Sequence, residues 1–205
     1  MATPPSIFSN EEEIRCQDVR WSLDVFNIGI KDYFEDIFRL FHTNLKQNVV
    51  QIHGYCSQKC SRKLPVEKWC SLCNEWRVKI LAKHRFRNTI KDILYWKNVD
   101  SSKWQSDVRE VQKIFLPNWY KGKLDANDLS SRLNIMTNCT LFDNQQQLTD
   151  IRDIRNKVFH NKTSLTVKEK KDYVGTISSY LDNDFLKRYQ SVVKATEHVK
   201  LLEKC

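Results

Sequence analysis

The chain has 205 residues, 40% hydrophobic and 11% aromatic, enough for one core-forming domain or one domain with a small insert. Four Gly and four Pro are too few for turn-rich all-β architectures, and no Gly-rich phosphate loop is present, so long helices joined by short loops are expected. The net charge is +9, and residues 75–123 hold twelve Lys/Arg against five Asp/Glu, a field that draws RNA, DNA or an anionic membrane surface, or simply a solvated helical face.

The first thirteen residues are polar, without a signal-peptide run, and are expected to be a flexible N-terminus. No apolar run approaches the ~20 residues of a membrane-spanning helix. An intracellular protein, cytoplasmic and/or nuclear and neither secreted nor membrane-bound, is the expectation. Ser9-Asn10-Glu11-Glu12 reads as a capping box for a first helix with Ile14, Trp21 and Val25 on its inner face, interrupted at Gly29. Tyr33, Phe34, Ile37, Phe38, Phe41, Leu45 and Val49 then recur at helical spacing, the signature of a packing face. Residues 53–69 read as irregular. Leu72, Trp76, Ile80 and Leu81 mark a helix ending near His84, and Ile90, Ile93, Leu94 and Trp96 suit a short helix or a strand.

Ser102-Lys103-Trp104-Gln105 resembles another capping box ahead of Val108, Val111, Ile114 and Phe115, with Pro117 as the stop. Asp125 or Asn127 is expected to cap a helix through Leu129, Leu133 and Met136. The run from Asn144 to Gln147 starts the next, with Leu148, Ile151, Ile154 and Val158 facing inward. Thr166-Val167-Lys168-Glu169 is a capping box for a helix through Tyr173, Ile177, Tyr180 and Leu181. A last helix is expected from Phe185 through Tyr189, Val192, Val193 and Val199 to Leu202.

Cys56-x3-Cys60-x9-Cys70-x2-Cys73 places four soft ligands on a short loop. Two close pairs of thiolates meet the tetrahedral demand of zinc, and with nothing directing the chain to an oxidising compartment they read as metal ligands, not disulfides. With four protein ligands no coordination position stays open, so such a zinc is structural. His53 or His84 is an alternative to one cysteine, Cys56 first among them, and unbonded buried thiols are the plain alternative. Cys16 and Cys139 read as packing residues.

Arg155, Asn156 and His160 gather at one helix end, Asn156 and His160 four apart and therefore on one face. An imidazole that titrates near ~6.5 when unperturbed, beside a guanidinium, suits cleavage of RNA without a metal. His160 takes the 2′-hydroxyl proton or protonates the leaving oxygen, Arg155 holds the phosphate, and Asn156 orients the imidazole or bonds a phosphate oxygen. The plain alternative is that Arg155 pairs with Asp150 or Asp153, that Asn156 bonds backbone, and that His160 offsets the helix dipole.

Arg155-Asn156-x3-His160, flanked by Ile151, Ile154 and Val158, resembles the R-x4-6-H signature of the HEPN superfamily (higher eukaryotes and prokaryotes nucleotide-binding domains). Those are helical bundles, often dimers; many are metal-independent endoribonucleases, and others are RNA-binding or interaction modules. A longer set of residues is similar to an uncharacterised animal family named for an open reading frame on the human X chromosome. It comprises Cys70-x2-Cys73-x-Glu75-Trp76-Arg77-x2-Ile80-Leu81-x2-His84 and Trp96-x-Asn98. Trp104-x2-Asp107-x2-Glu110-Val111-x-Lys113-x-Phe115-x-Pro117 and the Arg155 motif complete it.

The resemblance implies an all-α, HEPN-like helical bundle over residues 14–190 with a Cys-rich, zinc-binding insert at 53–73, residues 191–205 being the end of the last helix and a tail. It puts Arg155, Asn156 and His160 in the superfamily's active-site places, in a cleft between two copies of the chain. A homodimer directed at RNA is expected, with a non-catalytic adaptor as the alternative. Arg77, Lys79, Lys83, Arg85 and Arg87 are the expected phosphate contacts, and Trp76, Phe86, Trp96, Trp104 and Trp119 belong mostly to the core.

Overall fold

The computed structural model describes residues 10–53, 56, 60–86, 96, 98–117, 125 and 127–204. The expected Ser9 cap, the Ile90–Leu94 segment, Arg87, Trp119 and Cys205, expected to be a tail thiol, lie outside the described residues. Among the described residues there is no strand, only an isolated bridge between His84 and Cys139, so the fold is all-helical as the Gly/Pro scarcity implied. No helix among them is long and apolar enough to cross a membrane.

Chain contacts divide the molecule into two units, residues 1–33 with 146–205, and residues 34–145. In the first unit, helix α1 (Asn10–Gly29) opens with Glu11, Glu12 and Glu13, whose charge suits the helix N-terminus. Its buried face is Cys16, Val19, Leu23 and Phe26. That corrects the expected inner face: Val25 is buried, but Ile14 and Trp21 are 51% and 65% exposed, as is Ile28 at 69%. The burial follows the row that meets the later helices, and the seven-residue repeat of large apolar groups is left facing solvent. Gly29 ends α1, as expected, and α2 (Lys31–His53) follows.

The later helices of this unit are α7 (Gln145–Asn156), α8 (Val167–Leu181) and α9 (Gln190–Lys204), with a π-turn at Lys157–Asn161 and a 3-10 turn at Asp184–Leu186. Asn144, at φ 54°, makes the left-handed entry to α7, a conformation asparagine tolerates. The Thr166 capping box forms in full: Thr166 accepts from the Glu169 amide and Glu169 accepts from the Thr166 amide. The last helix begins at Gln190, later than expected, because Phe185 belongs to the 3-10 turn. Tyr180 packs edge-on against Phe26, and Tyr33 against Tyr189.

In the second unit, α2 contributes Phe34, Phe38, Leu45 and Val49 to the core, and a ring cluster joins Phe34, Phe38, Phe115 and Phe142 at 5.2–5.7 Å. The interval 53–69, expected to be irregular, contains a one-turn helix α3 (Cys60–Lys63) and a 3-10 turn at Val66–Lys68. Helix α4 (Ser71–Leu81) follows, capped by the Cys70 side chain accepting from the Cys73 amide. Helix α5 (Val108–Gln112) is capped by Asp107, not by the expected Ser102; Asp100 instead accepts from the Ser102 amide and opens a 3-10 turn at Ser101–Lys103. Helix α6 (Leu129–Asn138) is capped by Asp128, which accepts from the Ser130 and Ser131 amides, in place of the expected Asp125 or Asn127. Residues Ser131 to Thr137 of α6 are all buried, so this helix is enclosed on every side.

Candidate functional site

Arg155 ends α7 and His160 lies in the π-turn that continues it. On an ideal α-helix, residues five apart point about 140° away from each other. The wider i→i+5 turn brings residue 160 back toward residue 155. Arg155 Nη1 accordingly donates to His160 Nε2 at 2.9 Å and to Asn156 Oδ1 at 3.2 Å. The three side chains expected at one helix end do gather there, but through a π-turn and not on a regular α-helix. Asn156 and His160 are exposed and Arg155 is half-exposed, while Val158 between them is fully buried.

Because a guanidinium only donates, this contact has Nε2 of His160 as the acceptor, the geometry of the Nδ1–H tautomer. The plain alternative of Arg155 pairing with a nearby Asp does not occur. Asp153 pairs with Arg152 at 3.6 Å, and Asp150 accepts from Gln146 at 2.9 Å. Among the described residues Arg155 meets no carboxylate, and its Nε and Nη2 make no hydrogen bond, which leaves a cationic fork toward solvent.

Two residues at this motif, Phe159 within it and Arg20 beside it, had no role assigned from the sequence. The half-exposed ring of Phe159 lies 5.3 Å from the Arg155 guanidinium and 5.7 Å from that of Arg20. Arg20 also donates through Nη2 to the Val158 carbonyl at 3.0 Å. Nothing local in the sequence points to Arg20, since it stands on α1, 138 positions away from Val158.

The four cysteines Cys56, Cys60, Cys70 and Cys73 do converge: their sulfurs all lie within 4.8 Å of one another, and together they could hold a metal ion. Sγ–Sγ distances of 3.9 Å (Cys56–Cys60), 3.7 Å (Cys60–Cys70) and 3.6 Å (Cys56–Cys70) are far beyond a covalent S–S bond of about 2.05 Å. They match the edge of a tetrahedron with metal–sulfur bonds of about 2.3 Å, an edge of about 3.8 Å. Amides of Cys70 and Cys73 donate to the sulfurs of Cys60 and Cys70, each at 3.5 Å, a donor set that suits thiolates. Burial works against ionisation of Cys70, yet hydrogen bonds from the Cys73 amide and the neighbouring thiols bring its thiol below the usual value. Burial, with the charge of Cys56 and Cys70, pushes the Cys73 thiol up. His84 is not a ligand; it is buried and stacked on Phe115 at 5.5 Å. The His53 side chain lies outside the described ones. Cys16 and Cys139 are buried, as packing residues should be.

Of the expected phosphate contacts, Lys83 and Arg85 are exposed. Arg77 is tied to Asn74 Oδ1 at 2.8 Å and 3.0 Å, and Lys79 pairs with Glu75 at 3.2 Å. These four belong to the second unit, whereas the Arg155 motif belongs to the first. Trp76, Trp96 and Trp104 are core residues, as expected, while Phe86 is 49% exposed.

Comparison with curated proteins and with solved structures finds no match. The profile of DUF4559, described as a domain of unknown function, matches residues 16–205, and the chain therefore belongs to the DUF4559 family.

Proposed function

We propose that this protein is an RNA-directed, HEPN-like endoribonuclease that cuts without a catalytic metal, and that its four cysteines hold a structural zinc. The observation that carries the reading is the contact of Arg155 Nη1 with His160 Nε2 at 2.9 Å on an exposed turn, on an arginine that no carboxylate neutralises. A phosphodiester drawn to the free side of Arg155 would compete for the guanidinium and release the lone pair of Nε2. That nitrogen then takes the proton of the 2′-hydroxyl as O2′ attacks phosphorus. The P–O5′ bond breaks, leaving a 2′,3′-cyclic phosphate on one fragment and a 5′-hydroxyl on the other once the leaving oxygen is protonated. Arg155 opposes the charge that develops on the phosphoryl oxygens, and Asn156 steadies the guanidinium. DNA, lacking the 2′-hydroxyl, is not a substrate.

By the resemblance to the HEPN superfamily, a second copy of the chain supplies the matching motif and the second acid. The exposed Ile14, Trp21 and Ile28, spaced seven apart along α1, support association through that helix. Exposed Lys83 and Arg85 and the overall charge of +9 support a polyanionic partner. Zinc is supported by sulfur spacings that fit its tetrahedral radius, and thiolate zinc suits a reducing, intracellular setting.

The test is RNA incubation in EDTA with wild type beside His160→Ala. Wild type is expected to cut RNA and spare DNA, and the variant to lose ~10²–10⁴-fold in rate. Cutting that survives in His160→Ala, or that needs an added divalent ion, would overturn the reading. The apolar surface of Trp21, Ile28 and Phe159 favours a second reading, a non-catalytic interaction module of the same fold. It is distinguished by salt-sensitive RNA binding, or a protein partner, without turnover.

A further inference from the structure

The π-turn is the feature that brings Arg155 and His160 together, and π geometry needs support from outside the helix. A helix end leaves its final carbonyls without amide partners, and the rare i→i+5 turn competes with a plain α-helical continuation. The continuation would carry His160 about 140° round from Arg155. Something must therefore hold the wide turn.

Helix α1 supplies the contacts. Arg15 Nε donates to the Leu165 carbonyl at 2.8 Å, the Leu165 amide donates to the Glu12 carbonyl at 3.2 Å, and Cys16 Sγ lies 3.6 Å from the Lys162 carbonyl. These fix the chain that follows the turn. Arg20, one turn beyond Cys16 on the same face of α1, reaches the turn itself. Its Nη2 donates to the Val158 carbonyl at 3.0 Å and to the Lys162 carbonyl at 3.5 Å, spanning Phe159, His160 and Asn161. Its guanidinium also lies against the Phe159 ring, the same ring that Arg155 lies against.

We infer that Arg20 is a positioning residue for the Arg155–His160 pair: it staples both ends of the π-turn to α1 and, through Phe159, sets where Arg155 rests. The role rests on the nuclease reading only for its consequence in catalysis; the positioning itself is a property of the fold. Arg20 is assigned to positioning and not to catalysis, because its Nη2 is occupied by two carbonyls of the turn and its Nε is buried. A lysine cannot reproduce it, since one ammonium lacks the planar fork that meets a ring and two carbonyls together.

The experiment follows the imidazole directly. Long-range nitrogen–proton NMR of His160 is recorded at pH 8 for wild type, Arg20→Met and Arg20→Lys, alongside kcat and KM for RNA cleavage. Wild type is expected to show the proton on Nδ1. Arg20→Met is expected to shift toward the Nε2-protonated form that free imidazole prefers, with kcat lower on the order of 10²-fold and KM within about twofold, as a misplaced group with intact binding predicts. Arg20→Lys is expected to fall between the two, and it carries the test if Arg20→Met fails to fold. An imidazole pattern and kcat like wild type in the variants would overturn the inference. Wild type that cuts no RNA would sink the nuclease reading alone, and the imidazole pattern would still decide the role of Arg20.

Discussion

His84 shows how much of this protein depends on single buried polar groups. Its ring stacks on Phe115 at 5.5 Å and 8°, and its Nδ1 accepts from the Phe86 amide at 3.0 Å, which pins the chain that presents Arg85. Burial pushes the imidazole down to about 4, and a hydrogen bond with the Ile114 backbone only partly offsets it. The unfolded chain binds a proton near ~6.5, and the folded one resists until about pH 4. Stability from this group is therefore complete above about pH 6.5 and is lost as pH falls toward 4, on the order of 2–3 kcal/mol. Denaturant titrations across that range should show a shallower decline in His84→Gln than in wild type. Cysteine protonation contributes to both proteins alike, so equal slopes would remove His84 as the cause. From the sequence, His84 was open as a metal ligand; its partner ring lies 31 positions away, and only the packing closed that choice.

At the scale of elements, two glycines separate packing from propensity. A Cβ on Gly29, at the end of α1, would lie 2.5 Å from Ala195 Cβ on α9, and Ser191 already donates to the Gly29 carbonyl at 2.9 Å. Gly29→Ala should force α1 and α9 apart and cost about 1–3 kcal/mol. On α8, a Cβ at Gly175 meets only Glu203 Oε1, at 3.8 Å, so Gly175→Ala should gain about 0.5–1 kcal/mol from helix propensity. Thermal melts of the two variants are expected to move in opposite directions; a stabilised Gly29→Ala would contradict the close approach. The elements themselves were legible where the signal is local. Thr166 and Glu169 make their box because both partners lie within one turn. The choice of Asp128 over Asp125 was not legible, because adjacent polar residues are equivalent caps until the core fixes which turn is buried. The inner face of α1 was likewise illegible: it carries apolar groups on both sides, and only the neighbouring helices decide which row they cover.

At the scale of the whole molecule, the four cysteines lie together within the second unit. Ser61 and Ser101 exchange hydrogen bonds at 2.8 Å and 3.1 Å, and Ser61 Oγ donates to the Val99 carbonyl at 2.6 Å, so the segment carrying Cys60 is sewn to residues 99–101. Trp69, Trp96 and Trp104 pack together beside it at 5.3–6.4 Å. Native mass spectrometry should find one zinc, lost in Cys70→Ser and in Cys73→Ser. Chelation should raise hydrogen exchange over residues 60–73 and 99–104 while leaving α1, α8 and α9 protected. A folded, metal-free wild type with unchanged exchange would refute a structural zinc.

The sequence by itself determined the helical class, the order of most helices, the four cysteines and the Arg-Asn-x3-His motif. These follow from composition, periodicity and spacing, which are properties of neighbouring residues. Only the tertiary structure decided that four sulfurs meet, that His84 is spent in the core, and that Arg155 meets His160 through a π-turn held by Arg20. His84 with Phe115 and Arg20 with Val158 join groups far apart along the chain, and the cysteines and the Arg155–His160 pair need a loop and a π-turn whose shape spacing alone does not set; the folded core sets all of these.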